Sequence, residues 1–244
     1  MIEIEPSYKK QACYYDSIYD RDNEKDYYTE ANTILEIINH HPLNSKESLL
    51  DVGCGTGNHL KYFKQWFKVE GLDVSSQMIE IAKQKLPETT FHLENMSNFY
   101  LDQRYDIITY LFGSIGWTKT LEKMETSIVN MTKHLNENDL LIIEPWFTPE
   151  TWKDGILSSS YIEKGDSAVA RMSISSSNGR LSILDFHFLA GNTKTIERFE
   201  ERHEIGLFTL SEYESAFNKA GLNVEYNPEG VNGRGLFIAQ KIID

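Results

Sequence analysis

Residues 48–57, Ser-Leu-Leu-Asp-Val-Gly-Cys-Gly-Thr-Gly, restrict what this chain can fold into more than any other stretch. A short apolar run ends at Asp51 and Val52, alternating glycines follow at Gly53, Gly55 and Gly57, and a helical rhythm resumes over 59–67. Strand, tight turn and helix form the unit of parallel sheets, because parallel neighbours can be joined only by a crossover. The unit recurs. Strands are predicted over 69–74, 89–93, 105–112 and 139–144, with helices over 75–86, closed by Pro87, and over 121–135. Ahead of them, 26–41 carries Ala31, Ile34, Leu35 and Ile38 at helical spacing and stops at Pro42. The expected class is α/β: a Rossmann-like, mostly parallel, doubly wound sheet with helices on both faces.

After Pro145 the rhythm changes. Segments 173–175, 181–189 and 195–203 alternate apolar and polar residues around Asn178-Gly179 and Gly191-Asn192, which predicts antiparallel hairpins. Ser211 with Glu214 predicts a capping box, the helix reaches Ala220, Gly221 suits a left-handed cap, and two strands follow. The expected organisation is a cofactor-binding core with an N-terminal cap over 1–146, an antiparallel β insertion covering the cleft over 147–205, and a return to the core sheet over 206–244.

A formal charge of −13 disfavours nucleic acid as a partner, since that affinity comes mainly from Lys and Arg neutralising phosphates. It does not exclude a small anion, because a few arginines can set the potential of one cleft. The opening residues run through Glu3, Glu5, Lys9 and Lys10 without an apolar stretch, and no later run has membrane-spanning length. A cytoplasmic protein that does not bind membranes is therefore expected. Cys13 and Cys54 lack metal-ligand spacing and are read as thiols, and the histidines form no metal motif.

In open parallel sheets, ligands bind beyond the carboxyl ends of the strands, where side-chain-free residues admit a ligand to the backbone. Asp51, Gly53, Gly55 and Gly57 occupy that place. Their G-x-G-x-G spacing differs from the G-x-G-x-x-G of pyrophosphate-binding turns and weakens a nicotinamide-cofactor reading. Asp73, ending the second strand, suits vicinal ribose hydroxyls. Met78, the Asn95-Met96 pair and Leu111 suit an adenosyl group. Each also has a plainer reading, as helix cap or core.

With Asp73, the run Asp51–Gly57 resembles the cofactor motif of class I S-adenosylmethionine-dependent methyltransferases, which implies that cofactor. Four further stretches are similar to those of the N,N-dimethyltransferases of thymidine-diphosphate amino sugars. They are Glu24-Lys25-Asp26-Tyr27, Phe112-Gly113-Ser114-Ile115-Gly116, Glu144-Pro145-Trp146-Phe147-Thr148-Pro149-Glu150-Thr151-Trp152 and Gly233-Arg234-Gly235-Leu236-Phe237. The resemblance implies a sugar-nucleotide acceptor and two methyl transfers. Two departures stand out: Asn95 where that family usually has Asp, and Trp117 where it commonly has His or Tyr. An obligatory histidine base at 117 is thereby excluded, and Trp117 is expected to pack on the sugar.

Arg234, between glycines, can approach a diphosphate, with Arg171 and then Arg180 as further cationic candidates. Tyr14, Trp146 and Trp152 are candidates for lining the acceptor pocket. Methyl transfer to a neutral amine demands alignment more than a strong base. Tyr15 is the expected orienting group, with Ser114 and Glu144 as polar neighbours. A homodimer is the expected assembly. Alternatives are a methyltransferase for a free small amine or phenol, and a non-catalytic binder of S-adenosylmethionine.

Overall fold

The computed structural model describes residues 10–19 and 26–241; Glu24 and Lys25 of the N-terminal matching stretch lie outside the described residues. A seven-stranded sheet takes the order β10-β11-β5-β4-β1-β2-β3. Its parallel strands are β1 (Ser48–Val52), β2 (Lys68–Asp73), β3 (Thr90–Leu93), β4 (Tyr105–Tyr110) and β5 (Leu135–Ile143). Two antiparallel strands, β10 (Asn223–Asn227) and β11 (Leu236–Gln240), complete it beside β5. The chain winds from β1 through β2 to β3, then crosses to β4 on the other side of β1. The glycine turn therefore opens at the point where strand order reverses.

The helices are α1 (Tyr15–Tyr19), α2 (Tyr27–His40), α3 (Leu60–Phe63), α4 (Ser76–Lys85), α5 (Leu121–Lys133) and α6 (Leu210–Lys219). Side-chain caps start several of them. Asp26 accepts from Thr29 N at 3.0 Å, Ser75 from Met78 N at 3.3 Å and Thr120 from Lys123 N at 3.3 Å. One core holds Leu50, Ile108, Leu141 and Phe237 against α5 and α6; the other holds Leu49, Ile107 and Ile142 against α2, α3 and α4. Such double-sided burial explains why β1 and β4 are apolar runs rather than alternating strands. No described helix is long and apolar enough to cross a membrane.

A second, four-stranded antiparallel sheet has the order β6 (Leu157–Lys164), β7 (Ser167–Asn178), β8 (Leu181–Asn192) and β9 (Ile196–Gly206). Several sequence expectations are corrected. Strand β6 was not foreseen, because its Ser158-Ser159-Ser160 run carries no alternation. Gly191 is not a turn residue: it pairs with Ala168 and Ile196, and the turn follows at Asn192, whose side chain accepts from Lys194 N at 2.8 Å. The capping box is formed by Thr209 and Glu212 rather than Ser211 and Glu214, one turn-start earlier in the chain. Helix α3 is a single turn, and β5 begins at Leu135 across an irregularity that puts Asn138 at φ 63°.

At the amino-terminal ends of the strands, away from the glycine turn, two carboxylates share one buried place. Asp106 accepts from Glu47 N and Ser48 N, both at 2.9 Å, and these bonds hold its carboxyl low despite burial. Burial, then the Asp106 charge, pushes the neighbouring Asp139 up to about 7. Because this folded value exceeds the unfolded one, the native state binds the extra proton; the stabilisation is complete in acid and is lost as pH rises. Asp139→Asn is expected to flatten the decline in Tm between about pH 4 and about pH 7, read by thermal denaturation, and an unchanged slope would contradict it.

Candidate active site

The glycine turn carries left-handed backbone at Gly53, Gly55 and Gly57, with φ of 67°, 54° and 78°. A Cβ at Gly53 would lie 2.8 Å from the Tyr110 ring, so that glycine lets the turn press on β4. At Gly55 a Cβ would meet nothing within 4 Å, so here the backbone faces open space. Asp73 at the end of β2 locks this geometry, accepting from Gly55 N and Ser75 N, each at 2.8 Å. Burial raises the Asp73 carboxyl above its ordinary range, opposed by these hydrogen bonds. A carboxylate offers about four acceptor positions, so the bonds from Gly55, Ser75 and Val74 leave capacity for a ribose hydroxyl.

Tyr15, Asp51, Gly55, Leu111 and Ser114 line one cleft with this turn. Asp51 is buried and accepts from Thr109 Oγ1 at 2.7 Å. Met78 is buried under Ala12 and Tyr15, and the Met96 sulfur lies against the Tyr110 hydroxyl. Asn95 uses its side-chain oxygen locally, accepting from Ser97 N at 2.9 Å. Ser114 accepts from Tyr110 OH at 2.7 Å through its carbonyl, leaving its hydroxyl out of that bond.

The next wall is strained. Phe112 adopts φ 59° and Lys119 φ 61°, conformations that cost a side-chain-bearing residue about 1–3 kcal/mol and need support from their surroundings. For Phe112 the support is Glu144, fully buried, whose Oε2 accepts from Phe112 N at 2.6 Å. Glu144 Oε1 accepts from Asn232 Nδ2 at 2.6 Å and from Arg234 Nε at 2.9 Å. Arg234 then lies over the Phe112 ring at 5.0 Å and the Trp146 ring at 5.7 Å. Glu144 and Arg234, foreseen as reaction-side and phosphate-side groups, are thus joined to each other behind the wall.

The four-stranded sheet supplies the facing surface. Arg171 donates to Tyr19 OH at 3.1 Å and lies over the Tyr19 and Phe186 rings. Trp117 packs edge-on against His203 at 5.1 Å, an imidazole brought by β9 that sequence reasoning did not single out. Trp146 donates to Ser182 Oγ at 2.9 Å. Tyr14 turns to the sheet, donating to Glu197 at 3.1 Å and stacking on Phe199. Trp152 is tied to Asp154 and Ser176, and Arg180 to Glu212 and the Leu207 carbonyl, so Arg180 serves the start of α6. Also missed were Asp16, Thr56, Asn58 and the buried His59–Glu30 pair at 2.8 Å. Among the described residues no group of three His, Cys, Asp or Glu could hold a metal ion.

Comparison with known proteins accords with this geometry. The methyltransferase domain family matches residues 49–138. The chain is 37% identical over 216 residues to the dTDP-3-amino-3,4,6-trideoxy-alpha-D-glucopyranose N,N-dimethyltransferase of Streptomyces venezuelae, covering 88% of this chain and 91% of that one. It is 34% identical over 228 residues to the dTDP-4-amino-2,3,4,6-tetradeoxy-D-glucose N,N-dimethyltransferase of Saccharopolyspora spinosa, covering 93% and 91%. The crystal structure of Streptomyces venezuelae DesVI superposes with a TM-score of 0.89 at 36% identity, covering 94% of this chain and 97% of that one. The fold and the glycine-turn cleft define a class I methyltransferase that uses S-adenosylmethionine. Within that class, the chain belongs to the family of dTDP-amino-sugar N,N-dimethyltransferases.

The residues present fit the cofactor: an open backbone at Gly55, a carboxylate at Asp73 with acceptor capacity left, and an apolar wall at Leu111, while Met78 lies beneath Ala12 and Tyr15 rather than on the cleft surface. Asp73→Ala is expected to weaken S-adenosylhomocysteine binding about ten-fold or more, ~1.4 kcal/mol, by calorimetry. Unchanged affinity would remove Asp73 from the ribose role.

Proposed function

We propose that this protein methylates the amino nitrogen of a dTDP-linked amino-deoxysugar, in two successive transfers. The observation that carries the reading is the near full-length match, which spans the cofactor core and the four-stranded sheet together. The named relatives act on 3-amino and 4-amino sugars alike, so the reading specifies a dTDP amino sugar without fixing the carbon.

S-adenosylmethionine supplies an electrophilic methyl group on a sulfonium. The protein's part is to align and to exclude water. Tyr15, buried in the cleft beside Tyr19 and Met78, orients the reacting groups, with Ser114 as a polar neighbour. The acceptor nitrogen uses its lone pair to form the new N–C bond as the S–C bond breaks, then sheds a proton to water. The ammonium formed by the transfer loses its proton readily enough that no dedicated base is required. Glu144, buried and committed to Phe112, Asn232 and Arg234, is a positioning residue.

Arg234 directs Nε and Nη2 at Glu144, which partly neutralises it; Arg171 directs one nitrogen at a neutral Tyr19 hydroxyl and keeps more of its fork for phosphate. Trp117 and Trp146 line the acceptor side. The proposal extends to a cytoplasmic homodimer, supported by Tyr161, Met172, Ile174 and Leu189 standing exposed on the sheet.

Calorimetric titration of S-adenosylhomocysteine, then of thymidine diphosphate into the saturated complex, is expected to show both binding. Mass spectrometry with 3-amino and 4-amino dTDP-sugars is expected to show mono- and dimethylated products. Arg171→Ala should weaken thymidine diphosphate about ten-fold with S-adenosylhomocysteine affinity kept. Failure of the nucleotide to bind wild-type protein would refute the reading.

A further inference from the structure

Residues 10–19 form a short strap, a 3-10 turn over Gln11–Tyr14 followed by α1, and its two faces touch two different parts of the molecule. One face meets the glycine turn. Asp16 Oδ1 accepts from Thr56 Oγ1 at 2.6 Å and from Asn58 Nδ2 at 3.1 Å, and its Oδ2 lies 2.8 Å from Lys85 Nζ. Ala12 and Tyr15 pack on Met78 beside these bonds.

The other face meets the four-stranded sheet. Glu201 of β9 accepts from Gln11 N at 2.9 Å and from Lys10 N at 3.3 Å through one oxygen. Its other oxygen lies 3.3 Å from His203 Nε2, and the His203 ring supports Trp117. Burial opposes ionisation of Glu201, but the His203 bond and the strap's N–H groups hold its carboxyl below the usual range. Ile18 is fully buried in the sheet's cluster with Val169, Phe186 and Phe188, and Tyr19 receives Arg171.

We propose that this strap couples the two ligands, with Asp16 and Glu201 as its positioning residues: the methyl donor, by fixing the glycine-turn face, docks the strap on β9 and raises affinity for the nucleotide acceptor. The inference rests on the reading that the donor occupies the glycine-turn cleft and a dTDP-sugar lies against the sheet. Coupling requires a ligand to interact differently with docked and undocked states. The strap meets that requirement, since Tyr15 is a wall of the donor cleft while Glu201 and His203 are joined to Arg171 through the Phe186 ring on the acceptor side. Linkage makes the effect reciprocal: the nucleotide tightens the donor by the same factor. The coupling thus favours the ternary complex over either complex alone.

The test measures thymidine diphosphate affinity by calorimetry with and without saturating S-adenosylhomocysteine. Wild-type protein is expected to bind the nucleotide about five-fold or more tightly when the donor site is filled. Asp16→Ala should still bind each ligand but bring that ratio close to one, and Asp16→Glu should restore part of it. Glu201→Ala, which removes the strap's acceptor on β9, should likewise bring that ratio toward one. Equal nucleotide affinity with and without the donor in wild-type protein, or an undiminished ratio in Asp16→Ala, would overturn the coupling. A second readout needs no nucleotide: S-adenosylhomocysteine alone should slow hydrogen exchange in β9 of wild-type protein and not of Asp16→Ala. No slowing in wild type overturns the inference, whereas slowing in β9 with no nucleotide binding at all would keep the coupling and reject the dTDP-sugar reading.

Discussion

The hydrogen bond from Gly55 N to the Asp73 carboxylate is the contact on which the active site depends. It ties the turn after β1 to the end of β2, and with the Ser75 bond it makes one carboxylate both a helix-start partner and a turn clamp. The turn is compressed on one side, where Gly53 meets Tyr110, and open on the other, where Gly55 meets nothing. That asymmetry produces a cleft without any further device. The price is steric: only glycine tolerates those left-handed positions beside such a neighbour. Position in the sheet does the rest, because the reversal of strand order between β1 and β4 leaves no crossover helix over the turn.

A second constraint stands two strands away, just past the end of β5. Glu144 is a fully buried carboxylate, and burying such a charge is costly unless it is paired and hydrogen-bonded. Here every partner belongs to the site: a backbone N–H of a left-handed phenylalanine, an asparagine and an arginine from the turn before β11. Removing one partner leaves the others uncompensated, so the cluster acts as a unit. Strain at Phe112 and charge at Arg234 are therefore two ends of one arrangement.

The periodic elements were legible in sequence because their burial is periodic. Strand β1, helix α4 with its Ser75 cap, and the left-handed Gly221 all lie where local pattern places them. The glycine turn and Asp73 were legible because their function demands specific residue types close together in the chain. The strap contacts were not, since Gln11 and Glu201 lie 190 residues apart and an isolated glutamate on a charged strand gives no signal. The Thr209 capping box was misplaced by two residues because Ser211 and Glu214 satisfy the same pattern, and only packing of the chain entering α6 chooses between them. Strand β6 was invisible for the opposite reason: nearly all of it is exposed, so nothing selects an apolar rhythm.

Trp117 shows how a substitution relative to the family is absorbed. An indole cannot accept a proton as imidazole does, which removes a base from that position. The β9 strand places an imidazole behind it, His203, buried between Trp117 and Phe186 and bonded to Glu201. In that setting the histidine packs edge-on against the indole while its Nε2 is directed at Glu201. A rigid aromatic wall suits a reaction whose barrier is lowered by alignment, where a displaced sugar ring costs more than a missing base. The same imidazole–carboxylate contact reaches the strap, so the Trp117 wall and the segment packed on the glycine turn share a single carboxylate.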